Sequence, residues 1–295
     1  MPELDYLKSF HTAAQLLPER LWRTAYSLDE EQRQNCEELR VRLGRPLAAT
    51  VAGETLLLEG GTVLPTAEEL DQLLAKATEC SVHSYLEQLW HGYLTTRHGH
   101  RLGLCGQAPE GESRLLRGLS SVNIRVARQV SGFGREIPLW DEQGFCSTLI
   151  LAPPGAGKTT LLRELCRRIS LRMRVAVADE RYEIAACAGG QPRFRIGQCD
   201  VLSGGSKSET IPMLLRAMSP QVLATDEITR EADCEALLEC AGCGCGLLAT
   251  AHGQTADDLG RRPAYRRLLE AGLFRQVVLL EQKGTLRSWR VEPLS

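Results

Sequence analysis

The chain has 295 residues, of which 43% are hydrophobic and 24% charged, a composition typical of a globular protein with one large or two medium domains. The formal net charge of −2 gives no overall basic field that would attract nucleic acid. The acidic N-terminal segment resembles neither a signal nor a transit peptide, and no apolar run approaches the roughly 18 residues that span a bilayer. We therefore predict a cytoplasmic protein without a membrane span, which would reach a membrane only through partners.

The first half of the chain mixes short helices with short strands. Residues 1–30 have the pattern of amphipathic helices interrupted at Pro18. Thr66 and Glu69 have the spacing of a capping box, which predicts a helix that starts after Thr66. A second helix is predicted at 82–90, and β-type runs at 47–51, 55–58, 101–105 and 121–128. We assign residues 1–135 to a small α+β domain.

From about residue 146 the strands alternate with helices, which predicts a parallel sheet covered on both faces. The predicted strands are short, continuous apolar runs at 147–152, 174–178, 221–225, 246–251 and 275–281. The last of them is expected to pair with 286–291 as an edge hairpin. Residues 136–295 are therefore predicted to form an α/β domain.

Residues 149–160, LILAPPGAGKTT, combine a strand, a glycine-containing loop and the start of a helix. Small residues let backbone N–H groups surround a phosphate, and the helix N-terminus adds its positive dipole. In this P-loop pattern Lys158 is expected to reach the β and γ phosphates of ATP, and the Thr159 hydroxyl to ligate Mg²⁺. The predicted nucleotide contacts are Pro153, Pro154, Gly155, Ala156, Gly157, Lys158, Thr159 and Thr160.

Asp226 and Glu227 end the third predicted strand and supply the acidic half of such a site. We assign Asp226 to Mg²⁺ and Glu227 to the attacking water. A further strand lies between the P-loop and this motif, as in RecA/AAA-like ATPases rather than GTPases and kinases. His252 follows the fourth predicted strand, whose carboxyl end should lie beside the nucleotide. It could sense the γ phosphate there, although it could also be an ordinary loop histidine. These residues predict an ATPase.

Eleven cysteines without a secretion signal indicate reduced thiols in the cytosol. Cys240, Cys243 and Cys245 form a cluster, and a C-x-x-C pair can present two sulfurs to one metal ion. No second such pair or nearby histidine pair completes four ligands, unless Cys234 contributes. The sequence favours the alternative that these are small side chains packing a helix end against the next strand.

Several motifs together resemble the secretion-type ATPases, the ring motors of type II and type IV secretion and of pili. They are the P-loop, the acidic stretch at 179–183, LLRAMSP at 214–220, Asp226-Glu227 and the histidine box at 250–252. Within that superfamily the chain looks most like the stage III sporulation protein AA group. The similar stretches include EELRVRLGRP at 37–46, GHRLGLCG at 99–106, SVNIRVAR at 121–128 and DERYEIA at 179–185.

Three positions depart from the pattern of this family. Ala152 replaces the usual first glycine of the P-loop, Gln221 stands where the family often has aspartate, and Thr225 interrupts an aliphatic strand. None of these changes removes a catalytic group.

The resemblance implies a RecA/AAA-like P-loop ATPase core preceded by the small α+β domain. It also implies a mother-cell ATPase beneath the channel that joins mother cell and forespore during endospore formation. The chain would then form a homo-oligomeric ring, by analogy a hexamer, with ATP at the subunit interfaces. Its partners would be membrane proteins of the channel complex, which would hold it at the membrane.

Ring ATPases of this kind complete each site with arginines from a neighbouring subunit, because charge on the γ phosphate needs cations in the transition state. We predict Arg125 or Arg128 as this contact, with Arg216 and Arg230 as further candidates. The alternative is that these arginines are ordinary surface charges.

Two other functions remain open from the sequence. A nucleic-acid-dependent ATPase could use the basic residues at 125–128 and 261–267, but the acidic net charge and the lack of interleaved aromatics count against it. A nucleotide-switched scaffold without turnover is disfavoured by the intact Asp226-Glu227 pair.

Overall fold

The computed structural model describes residues 6–80, 85–107, 117–127, 132–187, 190–260, 262–283 and 286–294. It divides into two compact units, Met1–Arg128 and Gln129–Ser295, here the N-terminal and C-terminal units. Residues near our predicted domain boundary belong to the C-terminal unit, since Arg168 donates to the carbonyls of Gly134 at 2.7 Å and Ile137 at 3.0 Å. Within the described ranges, no helix is both long enough and apolar enough to cross a membrane.

The N-terminal unit is an antiparallel sheet with helices packed on it. Its strands are β1 (Cys36–Arg42), β2 (Ala48–Val51), β3 (Glu54–Leu57), β4 (Tyr93–Thr95), β5 (Arg101–Gln107) and β6 (Arg117–Arg125), in the spatial order β3-β2-β1-β6-β5-β4. Its helices are α1 (Tyr6–Ala14), α2 (Glu19–Ala25), α3 (Glu30–Asn35), α4 (Ala67–Ala77) and α5 (Leu86–Trp90), with a 3₁₀ turn at Leu58–Gly61. Alternation places Leu39 and Val41 of β1 in one core with Phe10 and Leu70 from the helices.

The start of α4 agrees with the sequence pattern. The Thr66 hydroxyl accepts a hydrogen bond from the Glu69 N–H at 3.3 Å, and Glu69 Oε2 accepts one from the Thr66 N–H at 2.9 Å. These reciprocal bonds satisfy two backbone donors at the helix end. The predicted capping box is confirmed.

The C-terminal unit is built on a seven-stranded sheet. Its strands are β9 (Thr148–Ala152), β10 (Val175–Asp179), β11 (Cys199–Ser203), β12 (Val222–Glu227), β13 (Gly246–His252), β14 (Gln276–Lys283) and β15 (Leu286–Pro293). The order is β11-β10-β12-β13-β9-β14-β15, and β7 (Trp140–Asp141) with β8 (Gly144–Phe145) forms a separate ribbon. Neighbouring strands of the large sheet are parallel except β14 and β15. The predicted parallel sheet with an edge hairpin is confirmed.

Helices cover both faces of this sheet. They are α6 (Lys158–Ile169), α7 (Lys207–Met218), α8 (Glu231–Gly242), α9 (Ala256–Gly260) and α10 (Pro263–Glu270). Ile150 of β9 packs in one core with Leu161 and Leu165 of α6. Leu149 and Leu151 of the same strand share a second core with α7, α8 and α10. Successive strand residues therefore face opposite helix layers.

Strand order determines where the polar motifs meet. The P-loop follows β9, β12 carries the two acidic residues, and β13 lies between these strands and ends at His252. The carboxyl ends of all three strands open at the same edge of the sheet. Thr225, the polar residue inside β12, is buried and donates to the Ala178 carbonyl of β10 at 3.1 Å.

Candidate functional site

The loop between β9 and α6 has the backbone form that a phosphate cradle needs. Gly155 has a φ of +78° and Gly157 a φ of +99°, which is the left-handed region that favours glycine. Gly157 is the N-cap of α6 and supplies no side-chain cap. The first N–H groups of α6 are therefore available to an anion, and the helix dipole favours negative charge there.

Lys158, the first residue of α6, is held in a chain of polar contacts. Its ammonium donates to the carbonyls of Ala152 at 3.1 Å and Pro153 at 3.2 Å, and to His252 Nδ1 at 2.8 Å. On the other side of the ring, His252 Nε2 lies 2.9 Å from Glu227 Oε2. Because the ammonium can only donate, Nδ1 accepts from it, and the proton of the neutral ring lies on Nε2, which faces the carboxylate. Burial lowers the pKa of Lys158, and the Glu227 charge opposes this shift.

Asp226 is a buried carboxylate that lies close to the Lys207 ammonium. The Lys207 ammonium lies 2.6 Å from Asp226 Oδ1, but the contact lacks hydrogen-bond alignment, and neither carboxylate oxygen has a hydrogen-bond partner among the described residues. Burial raises the pKa of Asp226 to about 6, although Lys207 opposes the shift. For Lys207 burial lowers the pKa, but Asp226 and Glu180 outweigh that effect and the net shift is upward.

The loop after β10 is held by Asp179 and Arg163. Asp179 accepts hydrogen bonds from the N–H groups of Glu183, Ile184 and Ala185 at 2.8–3.0 Å. Arg163 of α6 donates to the carbonyls of Ile184 at 2.8 Å and Glu183 at 2.6 Å. Burial lowers the pKa of Arg163 to about 10 and raises that of Asp179, while each charge partly offsets the shift of the other. These contacts position the loop beside the P-loop.

The polar motifs line one cleft of about 310 Å³. Its lining residues are Pro154, Gly155, Gly157, Lys158, Thr159, Thr160, Arg181, Glu183, Asp226, Glu227, Thr250 and His252. The structure thus brings together most of the predicted nucleotide, metal and catalytic residues. Pro153 contributes its carbonyl to Lys158, and Ala156 is buried beneath the loop.

Sequence reasoning missed two basic residues of this region. Arg181 lines the cleft, and Lys207 binds Asp226 from the first turn of α7. A signal for Lys207 was present, because a lysine directly after an N-cap serine opposes the helix dipole. Arg181 lies inside the acidic stretch at 179–183 and gave no comparable signal.

Those of the predicted intersubunit arginines that the structure describes do not line this cleft. Arg125 belongs to the N-terminal unit, where its side chain is 64% exposed and lies 3.3 Å from Glu38. Arg128 lies outside the described residues. Of the further candidates, Arg216 lies at the other end of α7, and Arg230 pairs with Glu180.

The cysteine cluster lies at the end of α8 and the start of β13. Cys240 and Cys245 are buried in the sheet core, and Cys243 is exposed. Among the residues that the structure describes, no group of three or more His, Cys, Asp or Glu side chains could hold a metal ion.

The residues of the cleft fit Mg²⁺ bound together with phosphate. Mg²⁺ prefers oxygen ligands and usually binds through one or two carboxylates plus substrate phosphates. Asp226 is buried, and neither of its oxygens has a hydrogen-bond partner within the described part of the chain. Thr159 lines the same cleft.

Sequence comparisons match nearly the whole chain. The family described as sporulation stage III, protein AA, matches residues 12–290. The chain is also similar to stage III sporulation protein AA of Bacillus subtilis (strain 168), with 38% identity over 282 residues. That match covers 92% of this chain and 91% of the relative.

Solved structures of ATPases share the fold. The ATPase DotB of Legionella pneumophila matches with a TM-score of 0.56 and 15% identity, over 88% of this chain and 76% of that one. The pilus retraction motor PilT, solved with ADP, matches with a TM-score of 0.64 and 14% identity, over 94% and 82% of the two chains. The predicted P-loop ATPase fold is confirmed.

Proposed function

This chain belongs to the stage III sporulation protein AA family, and from that premise we propose that it is a Mg²⁺-dependent ATPase of endospore formation. The observation that carries the proposal is the cleft that Lys158, Asp226, Glu227 and His252 line together. A P-loop alone would indicate only a nucleotide, whereas a carboxylate next to the metal ligand supplies the group that activates water.

Each polar residue of the cleft has a separate task. The N–H groups at the start of α6 and the Lys158 ammonium would bind the β and γ phosphates. Asp226 and Thr159 would hold Mg²⁺, which neutralises charge on the phosphate oxygens. Glu227 would orient the attacking water and accept its proton.

His252 connects the phosphate-binding and water-activating groups. Its Nδ1 accepts from Lys158 and its Nε2 contacts Glu227. A phosphate in the cleft competes with Nδ1 for the lysine ammonium. Once Lys158 turns to the phosphate, the contact through Nε2 still orients the Glu227 carboxylate. His252 would thus keep the catalytic base oriented both before and after phosphate binds.

Family membership supports a role at the channel between mother cell and forespore, which the ATPase would energise or assemble. Membrane proteins of that channel would hold the protein at the cytoplasmic side of the mother-cell membrane. A homo-oligomeric ring, by analogy a hexamer, would let neighbouring subunits contribute Arg125 or Arg128 to each site.

Glu227→Gln tests the proposed chemistry. The amide keeps the size of the side chain but cannot accept a proton, so ATP hydrolysis should fall about 10²- to 10⁴-fold while ATP binding persists. Phosphate release measures turnover, and titration with a fluorescent ATP analogue measures binding.

Glu231→Gln is the matched control, because Glu231 is a 75% exposed glutamate near the start of α8, and this variant should hydrolyse ATP normally. Glu227→Gln turnover equal to the native rate would contradict the assigned base. Absence of turnover in the native protein with ATP bound would favour the scaffold function. Strong stimulation by single-stranded DNA or RNA would favour the nucleic-acid-dependent enzyme.

A further inference from the structure

Lys207 occupies an unusual position for a lysine. It is the first residue of α7, and only 1% of its surface is exposed. A cation at a helix N-terminus opposes the helix dipole, and a buried cation loses its hydration. Both effects are unfavourable, so the surrounding charges must compensate for them.

Two carboxylates provide that compensation. The Lys207 ammonium lies 2.6 Å from Asp226 Oδ1 and 2.6 Å from Glu180 Oε2. Arg230 pairs with the other oxygen of Glu180 at the exposed side. The lysine is therefore the buried cation between two acidic residues, of which Asp226 is 5% exposed. Without the lysine, the buried Asp226 carboxylate and the partly exposed Glu180 carboxylate beside it would attract another cation.

One of these carboxylates is the proposed ligand of Mg²⁺. A divalent cation beside Asp226 would meet the positive charge of Lys207 at close range. ATP changes this balance, because its phosphate oxygens add negative charge and further ligands on the open side of the cleft.

We propose that Lys207 is a resident counter-ion that excludes free divalent metal from the Asp226–Glu180 pair, so that metal enters the cleft only together with nucleotide. This inference rests on the proposed function, since it takes Asp226 as the metal ligand. Lys207 thus makes metal binding depend on the presence of ATP. A purely structural ion pair would stabilise α7 without affecting metal selectivity.

Lys207→Met tests the inference through metal binding rather than turnover. Methionine fills similar space without charge, which leaves Asp226 without its close cation while Glu180 keeps its pair with Arg230. Mn²⁺, a paramagnetic substitute for Mg²⁺, is titrated into each protein without nucleotide and followed by electron paramagnetic resonance. Lys207→Met should bind Mn²⁺ about tenfold or more tighter than the native chain, and Mn²⁺ should raise its unfolding temperature.

Matched variants separate the effect of the Lys207 charge on Mn²⁺ binding from the effect of its packing. Lys207→Arg retains the positive charge and should exclude Mn²⁺ as the native chain does. The double variant Lys207→Met/Glu180→Gln removes one carboxylate and should lose the gained affinity. Lys207→Gln is neutral but can still donate hydrogen bonds, so it repeats the test if Lys207→Met folds poorly.

Equal Mn²⁺ affinity of the native, Lys207→Met and Lys207→Gln proteins would overturn the inference. Tight Mn²⁺ binding by the native chain without nucleotide would also overturn it. A parallel Mn²⁺ titration of the native protein in the presence of ATP distinguishes failure of the proposed Lys207 role from failure of the proposed ATPase function. Failure to bind Mn²⁺ even with ATP would refute the metal site of the proposed function itself.

Discussion

His100 is a residue whose chemistry is determined by burial and hydrogen bonds. Only 1% of its surface is exposed, and its Nδ1 accepts the N–H of Ala127 at 3.0 Å. Its Nε2 lies 2.8 Å from the Thr12 hydroxyl, which itself donates to the carbonyls of Lys8 and Ser9. This network requires a neutral ring with the proton on Nε2. Burial and the nearby His98 lower the pKa of His100 to about 3.

The stability of the N-terminal unit should therefore fall with acidification. An unfolded chain protonates His100 near its ordinary pKa of 6.5, while the folded chain stays neutral to about pH 3. The unfolded state binds the extra proton between these values, so this residue removes about 1.4 kcal/mol of stability per pH unit below 6.5. Above pH 6.5 it has no effect on the slope. Hydrogen exchange of β5 and β6 at pH 7 and pH 5, corrected for intrinsic rates, measures the change.

Variants isolate this effect from other acid-sensitive groups. His100→Gln should be less stable at pH 7 but should lose less stability on acidification than the native chain. His98→Gln changes an exposed neighbour and should retain nearly the native pH dependence. Identical pH dependence in all three proteins would show that His100 does not titrate as described.

The residues of the candidate site were predictable to different degrees. The P-loop was predictable because its strand, glycines, lysine and helix are contiguous, and Asp226-Glu227 because they end an apolar strand. The chain of contacts from Lys158 through His252 to Glu227 depends on strand order, which the sequence does not specify. Lys207 lies in the polar stretch SGGSKSE, at 203–209, where a lysine at a helix start is unusual but does not by itself indicate that the side chain is buried.

At the scale of elements, the prediction missed β1 in the N-terminal unit and β11 in the large sheet. The predicted strands of the large sheet are continuous apolar runs whose bounds agree to within two residues, such as β10 and β13. Cys199–Ser203, by contrast, is the short mixed sequence CDVLS at the sheet edge, none of it fully buried. Because the edge strand β11 has a neighbouring strand on one side only and is incompletely buried, its sequence contains no continuous apolar run that would predict it. In the N-terminal unit β6 begins and ends earlier than the predicted 121–128.

Gly197 lies in the loop before β11, where the backbone packs closely against the C-terminal end of α6. Its φ is +81°, and a Cβ there would lie 2.1 Å from Ser170 Oγ and 2.9 Å from the Arg167 Cα. The Ser170 hydroxyl is also fixed, since it donates to the Arg167 carbonyl and accepts the N–H of Gln198. The close approach of two backbone segments therefore requires glycine.

Gly197→Ala should destabilise the C-terminal unit by about 3 kcal/mol or more, through left-handed strain plus overpacking. Gly272→Ala is the matched control, because Gly272 has a φ of +60° but nothing within 4 Å of its Cβ position. The free energy of unfolding of that control should fall by about 1–2 kcal/mol, from backbone strain alone. In calorimetry we expect Tm losses of roughly 6–12 °C and 2–8 °C respectively. Equal losses would show that the contact with α6 adds nothing.

At the scale of the whole molecule, the cleft is short of positive charge. Lys158 and Arg181 are the cations in its lining, and Lys207 is paired with two carboxylates within the described structure. The transition state of phosphoryl transfer spreads negative charge over the γ-phosphate oxygens, which arginines commonly stabilise. A ring would provide such residues from a neighbour, which is why we propose Arg125 or Arg128 as the intersubunit contact.

Mixing two inactive variants tests this arrangement. Arg125→Ala and Glu227→Gln should each hydrolyse ATP poorly alone. If Arg125 acts across an interface, Arg125→Ala subunits keep the base and Glu227→Gln subunits supply the arginine. An equal mixture that exchanges freely should restore roughly one quarter of the native sites, because each site needs one intact residue from each of two subunits. Phosphate release measures the recovery, and light scattering with ATP verifies the oligomer.

Arg40→Ala is the control for the ion pair with Glu38, which Arg40 and Arg125 share. This variant should remain active alone, since it removes the neighbouring charge without removing the proposed contact. The same mixture is repeated with Arg128→Ala, and recovery in only one mixture identifies the contributing arginine. If each mixture hydrolyses ATP only as fast as its two variants measured separately and added, neither arginine has the intersubunit role. A particle that stays monomeric with ATP would exclude the ring itself.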